Sequence, residues 1–241
     1  MERELKFSTL DEHVPSVPEL NLALDAGRLR VVPGRVSNHV DVYYDVDGAL
    51  AAAGYALRRR RRVGAGPRTE TGVAYFPVQV TLKSDSTVAG ALHQRTEEQW
   101  QVGPADQPWP EAVAVTVSAV PGAHGVERLR PVAELSIRRV AFLVFAAEDE
   151  MTPLAEVAFD EVSCGVPPRA GADGTAPGAH DSADLVATFH EVEIEALTDD
   201  DGSIGRLTVI ADAVETIVKL TPSSASKLER AKALLDAIVG S

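Results

Sequence analysis

Charged side chains stand at every second position in five separate segments of this chain, and that spacing restricts the fold more than any other feature. Glu2-Arg3-Glu4-Leu5-Lys6 sets Glu2, Glu4 and Lys6 on one side of a strand, because successive strand side chains point to opposite faces. His190-Glu191-Val192-Glu193-Ile194-Glu195 alternates strictly, three carboxylates against Val192 and Ile194. Thr81 and Lys83 oppose Val80 and Leu82, and Arg95 shares a face with Glu97. The run Arg58 to Arg62 follows Gly54-Tyr55-Ala56-Leu57; on a strand, Arg58, Arg60 and Arg62 fall on one face and Arg59 and Arg61 on the other. A register slip of one residue would exchange those two sets. A single stripe of this kind is an ordinary solvated edge strand. Five stripes call for a closed or cupped sheet with a polar lumen. Two carboxylates one strand repeat apart can share a hard divalent cation, and a lysine beyond them can meet the phosphate that the cation carries.

With 241 residues, 45% of them apolar, the chain can bury one substantial core or at most two small ones. A net charge of −13 argues against nonspecific nucleic-acid binding, which needs a basic surface. Arginine and lysine concentrated in particular strands of an acidic chain point instead to a local anion pocket. One cysteine, Cys164, excludes an internal disulfide and fits a reducing cytoplasm. No apolar run has the length of a membrane span and none precedes Glu2, so neither a signal peptide nor a membrane partner is expected.

Strand patterns fall near 2–9, 28–33, 36–46, 55–63, 73–84, 92–102, 132–147, 154–162 and 187–197. Helices are predicted from Pro18 to Gly27, from Asp47 to Ala53 with a glycine cap at Gly54, over 203–219, and from a cap at Ser223 or Ser224 through Ile238. Short helices are expected near 110–118 and 122–130. Gly165 to Asp184, rich in Gly, Ala, Pro and Asp, reads as a mobile loop. Asp199-Asp200-Asp201-Gly202 lacks the ligand spacing of a calcium loop and reads as a turn. With no repeat and no linker, residues 1–241 form one α+β domain, a mostly antiparallel β-barrel with helices packed outside.

Taken in order, these segments resemble the CYTH, or triphosphate tunnel metalloenzyme, superfamily. Glu2-x-Glu4-x-Lys6 resembles its N-terminal signature. Asp41-Val42-Tyr43-Tyr44-Asp45, then Leu50, Gly54 and Leu57-Arg58-Arg59-Arg60, is similar to its Y-Y-D…L…G…L-R-x-R segment. Thr81-Leu82-Lys83 matches the T-x-K strand, and Gly90 through Glu97 the R-x-E strand. Phe159-Asp160 sits at a strand aspartate, Glu191-Val192-Glu193-Ile194-Glu195 at E-x-E-x-E, and Ser226-Lys227-Leu228-Glu229-Arg230 at the S-K-x-x-R opening of the last helix. The stretch Gly90-Ala91-Leu92-His93-Gln94-Arg95 is most similar to the bacterial inorganic triphosphatase branch. The helical CHAD domain often joined to that branch is absent from this sequence, which reads as a stand-alone form or an excised domain.

The resemblance implies substrate-binding cations at Lys6, Arg58, Arg60, Lys83, Arg95 and Arg139, with Lys227 as a lid contact. It implies Mg²⁺ or Mn²⁺ on carboxylates drawn from Glu2, Glu4, Glu97, Asp160, Glu191, Glu193 and Glu195, with Glu2, Glu4, Lys6 and Glu193 at the catalytic centre. Arg139 is preferred to its neighbour Arg138 by its distance from Pro131 in the similar sequences. The implied activity is metal-dependent hydrolysis of inorganic triphosphate, with thiamine triphosphatase, nucleoside triphosphatase, adenylate cyclase and a noncatalytic polyphosphate-binding module as alternatives. The expected partner is a small triphosphate or polyphosphate; a homodimer is left open.

Overall fold

Strand β1 (Glu2–Thr9) is hydrogen-bonded on both sides, to β8 (Leu185–Ala196) and to β5 (Leu92–Val102), and the second pairing closes the sheet into a ring. The computed structural model describes residues 2–64, 77–103, 108–149, 151–165 and 185–239. Between β1 and β8 run β2 (Leu29–Asp45), β3 (Ala56–Val63), β4 (Val78–Ala89), β6 (Arg130–Ala146) and β7 (Ala155–Gly165). The spatial order is β5-β4-β3-β2-β6-β7-β8-β1, every pairing is antiparallel, and the two-residue β9 (Thr221–Pro222) adds to β1. Closure removes the sheet edges that an open array of this length would expose.

Most expected elements are present. The two strands predicted at 28–33 and 36–46 are one long strand, β2, interrupted by a bulge between Pro33 and Val36. The predicted helix at 122–130 is instead a turn with a short 3₁₀ segment, Val126–Arg128, leading into β6. The loop predicted over 165–184 and the start of the strand predicted at 73–84 lie outside the described residues, apart from Gly165 at the end of β7.

Helices α1 (Val17–Leu24) and α4 (Ser203–Glu215) pack on the outer face of β1, β2, β6, β7 and β8. Their Leu20, Leu24, Leu207, Ile210 and Val214 meet Leu5, Phe7, Val157, Val192 and Ile194. Each such fully buried side chain contributes about 1.5–3 kcal/mol. Helices α2 (Ala49–Ala52) and α3 (Glu111–Ala119) cover β3–β5 in a second cluster built on Leu50, Leu57, Val80, Leu82, Val113 and Val117. Ser16 caps α1 in a reciprocal box with Glu19.

Helix α5 (Lys227–Val239) is placed differently. Its Ala231 and Leu235 pack on Leu135, Ile137, Val162, Cys164 and Phe189. By strand parity these are the faces of β6, β7 and β8 that carry Arg139, Asp160 and Glu191, so α5 covers one end of the lumen. The sole cysteine is buried beneath it. The helix is capped by Ser226, two residues beyond the predicted Ser224: the Glu229 N–H donates to Ser226 Oγ and the Ser226 N–H to the Glu229 carboxylate. Ser226 wins because Glu229 stands three residues on, where a capping box needs it.

Candidate functional site

A cavity of about 220 Å³ occupies the lumen next to α5, and strand alternation sends five stripes into it. From β1 come Glu2, Glu4 and Lys6; from β3, Arg58 and Arg60; from β4, Lys83; from β5, Arg95 and Glu97; and from β8, Glu193 and Glu195. Arg139 of β6 and Lys227 at the start of α5 complete the wall. The seven expected cations and five of the expected carboxylates thus meet in one chamber. Asp160 and Glu191, directly paired across β7 and β8, sit behind Lys227, nearly or fully buried.

So many buried charges persist because they are paired. Lys227 Nζ lies 2.6 Å from Glu193, 2.7 Å from Glu191 and 3.0 Å from Asp160. Lys6 Nζ lies 2.7 Å from Glu193 and 3.3 Å from Glu4. Arg139 donates two bonds to Asp160, at 2.8 and 2.7 Å, and another to Glu193. Arg95 donates to Glu2 at 2.7 Å and also to Glu4, while Lys83 bridges Glu2 at 3.1 Å and Glu97 at 2.9 Å. Burial works against ionising Glu193, but Lys227, Lys6 and Arg139 hold its carboxyl well below the usual range. For Lys83 the balance goes the other way: burial, helped by neighbouring Arg95, lowers its pKa against the pull of Glu2.

Asp41 is a part of the site that the sequence reading quoted only as motif. Fully buried on β2, it accepts from Arg60 at 2.7 and 2.8 Å and from Arg58 at 3.1 Å. Burial opposes its charge, yet Arg60 and Arg58 keep its carboxyl ionised and hold the two guanidinium groups at fixed positions. The β2–β3 register, with Asp41 opposite Arg60 and Tyr43 opposite Arg58, sets this geometry. Arg230, four-fifths of a turn past Lys227, backs Glu191 at 3.2 Å and was likewise quoted only as motif.

The parity assignments hold where they can be checked. Arg59 points outward and lies 3.8 Å over the Trp109 ring. Arg138 and Glu98 are exposed. His190 lies outside the chamber, in a surface groove with Arg138 and Glu161.

The carboxylates differ in how far they are committed. Among the described residues no three acidic or histidine side chains converge into a ready cation cage, since Glu2, Glu4, Glu97, Glu191, Glu193 and Asp160 are turned onto lysine or arginine. Glu195 is the exception, with no ion pair to any described residue. It stands directly opposite Glu4 across β1 and β8, and burial together with Glu2, Glu4 and Glu193 pushes its pKa up to about 8. Oxygen ligands suit a hard divalent cation, and Glu195 with its neighbours Glu2 and Glu4 could hold one, provided that Glu2 and Glu4 turn away from Arg95, Lys83 and Lys6.

No protein-family model and no curated protein matches this chain. Solved structures do. The adenylyl cyclase candidate HpAC1 from Hippeastrum, described as having a dominant triphosphatase activity, is 17% identical, with 97% of this chain and 96% of that one covered at a TM-score of 0.55. The PH1819 protein from Pyrococcus horikoshii is 16% identical, with 98% and 99% covered and a TM-score of 0.51. Over nearly their whole lengths these chains share the fold described above.

Proposed function

We propose that this protein is a divalent-metal-dependent triphosphatase of the triphosphate tunnel superfamily, acting on inorganic triphosphate in the chamber beside α5. The observation that carries the reading is the convergence of Lys6, Arg58, Arg60, Lys83, Arg95, Arg139 and Lys227 on one small space that also holds a carboxylate cluster. Phosphoryl transfer to water asks mainly for positioning and charge neutralisation. The arginines offer paired donors to phosphate oxygens, and the lysines offer point charge. Asp41 and Asp160 orient Arg60 and Arg139 before substrate arrives, which limits the ordering cost of binding. Incoming phosphate would compete with Glu193 and Glu97 for Lys6, Lys227 and Lys83.

Mg²⁺ or Mn²⁺ bound at Glu2, Glu4 and Glu195 would supply charge neutralisation and a more acidic water. The dominant triphosphatase activity described for HpAC1 supports the same reaction class. A purely binding module would have no use for the carboxylate cluster, which favours an enzyme.

The test is phosphate release from tripolyphosphate, thiamine triphosphate, ATP and long-chain polyphosphate with either metal. Tripolyphosphate should turn over fastest, excess chelator should abolish release, and added metal should restore it. Full activity in chelator would remove the metal, whereas cyclic AMP from ATP would move the reading to a cyclase.

A further inference from the structure

A second and wider cavity, of about 790 Å³, adjoins the chamber on the side away from α5. Arg60, Gln79 and Arg139 line both spaces, so the two form one passage. Arg35 reaches the outer part because of the β2 bulge, where a side chain at Gly34 would meet the Ala141 carbonyl oxygen at 2.6 Å. His39 lines the wider space as well, one strand repeat from Asp41 on the inner face of β2.

His39 is only 3% exposed, and its Nε2 meets no hydrogen-bond partner among the described residues. A buried polar atom left unbonded is costly, and native structures keep few of them. The charge around the ring is positive. Arg60 of β3 and Arg139 of β6 act on it, and Asp41 and Asp160, to which those arginines are bonded, offset them in part. Arg62 stands directly opposite His39 on β3, and Ile137 opposite it on β6, packed in one cluster with Ala231 and Leu235 of α5. From β7, Glu156 lines the same space, 3.6 Å from Arg139. Glu2, Glu4 and Glu195 do not line it. Burial, then the guanidinium groups, keep the ring neutral, with a pKa of about 3. An anion held between Arg60 and Arg139 would bring the acceptor that the imidazole lacks and reverse the charge around it.

We infer, building on the function proposed above, that His39 is a substrate-binding residue that takes up one proton as the outer phosphate of triphosphate settles between Arg60 and Arg139. The proton comes from solvent and goes to an imidazole nitrogen, and no P–O bond is made or broken in this step. The imidazolium then donates a charge-assisted hydrogen bond to a phosphate oxygen. Because the free ring stays neutral and the bound ring is charged, affinity rises as pH falls through the value of the bound ring. The effect ends at the value of the free ring, where both states carry the proton.

The experiment is calorimetric binding of tripolyphosphate in excess chelator, in buffers of different ionisation enthalpy, for the native protein, His39→Gln, His39→Asn and His190→Gln. The dependence of the heat on the buffer counts protons, and titration of tripolyphosphate itself or of the chamber carboxylates enters all four proteins alike. At about pH 5.5 the native protein and His190→Gln should take up about one proton more than either His39 variant. Between about pH 7.5 and 5.5 their affinity should gain about tenfold on both variants. Ring-carbon NMR shifts of the native protein give a reading that needs no variant: one imidazole should be neutral at that lower pH when free and charged when tripolyphosphate is bound. Equal proton counts in the native protein and the His39 variants, no ring that becomes charged on binding, or no tripolyphosphate binding would overturn the inference. Phosphate release with equal counts would remove the role of His39 and leave the proposed function standing. A count that falls with His39, when neither metal supports release, would remove hydrolysis and leave the proton-linked site standing.

Discussion

Strand β3 carries arginine on both of its faces, and the two faces use the same side chain in opposite ways. Inside, Arg58 and Arg60 are held by the Asp41 carboxylate and line the chamber. Outside, Arg59 is as buried as Arg58 but lies over the Trp109 ring, beside a cluster of leucine and valine. The same contrast runs round the barrel: Glu193 faces three cations while Val192 and Ile194 on either side face α1 and α4. The wall is a partition between an ionic interior and an apolar exterior. Its two faces should therefore fail differently when mutated, inner changes in binding and turnover, outer changes in stability alone.

The largest separation is expected at Glu193. Glu193→Gln keeps the shape but releases Lys6, Lys227 and Arg139 from a shared anion. The kcat for tripolyphosphate should fall on the order of a hundredfold, as when a group aligned to the reacting phosphate is lost. Calorimetric affinity should hold or improve, because repulsion toward the anion has fallen. Glu4→Gln should behave in the same way. Loss of binding with kcat preserved would place these carboxylates outside the reaction.

Next come the cations. Arg60→Ala or Lys83→Ala removes a charge-assisted contact worth roughly 1.5–3 kcal/mol, so tripolyphosphate affinity should drop about tenfold to a hundredfold. In Arg60→Ala, Asp41 keeps Arg58 as its partner. If Arg59→Ala weakened binding more than Arg60→Ala, the assignment of inner and outer faces would be reversed.

A smaller effect separates the faces by pH. His39 lies on the inner face of β2, and burial, then Arg60 and Arg139, lower its pKa to about 3 against the opposing pull of Asp41 and Asp160. A histidine depressed in the fold contributes stability above its unfolded value, near 6.5, and loses that contribution as pH falls toward 3. Thermal melts should lose about 1–2 kcal/mol from this group between pH 6.5 and 5, a slope that His39→Asn should flatten. Bound tripolyphosphate should also flatten it, by offsetting the guanidinium charge around the ring. An unchanged slope in the variant would leave another group responsible for the acid side.

The chamber was legible from sequence because a period of two is unambiguous when charges alternate with valine, leucine and isoleucine. Lys83 and Glu193 needed only that rule; Arg60, in a run of five arginines where a slip of one residue exchanges the faces, took its inward place from the resemblance to the L-R-x-R segment. Leu135 and Ile137 share a face with Arg139 and went unread as lumen residues, since nothing local in β6 announces that a helix will cover one end of the lumen. Asp41 was within reach, because a β2–β3 hairpin turning through 46–55 sets it opposite Arg60. Arg35 was not, since its place depends on a bulge that only the contact between Gly34 and Ala141 reveals. Ser226 was quoted for Lys227 and Arg230 while its own capping partner, Glu229, went unread.

The smallest effect on function, and the cleanest check on the comparison, belongs to Arg59. Its guanidinium stacks 3.8 Å from the Trp109 centroid and 6.0 Å from that of Tyr44, and those rings meet edge to face at 4.9 Å. None of the three lines the chamber. Arg59→Ala should therefore leave tripolyphosphate affinity and kcat within about twofold, since no contact on the order of 1 kcal/mol to the anion is removed. Stability should fall by about 0.5–2 kcal/mol, the range of a partly desolvated cation–π contact. Arg59→Met should recover part of that loss, because its thioether still packs on the rings, while Trp109→Ala should make the Arg59 change nearly silent in a double-mutant cycle. Urea melts of the native protein, the two Arg59 variants, Trp109→Ala and the double variant, beside tripolyphosphate binding, would settle it. A cycle with no coupling would mean the guanidinium is held by something other than the rings, and a fall in binding would put β3 one residue out of register.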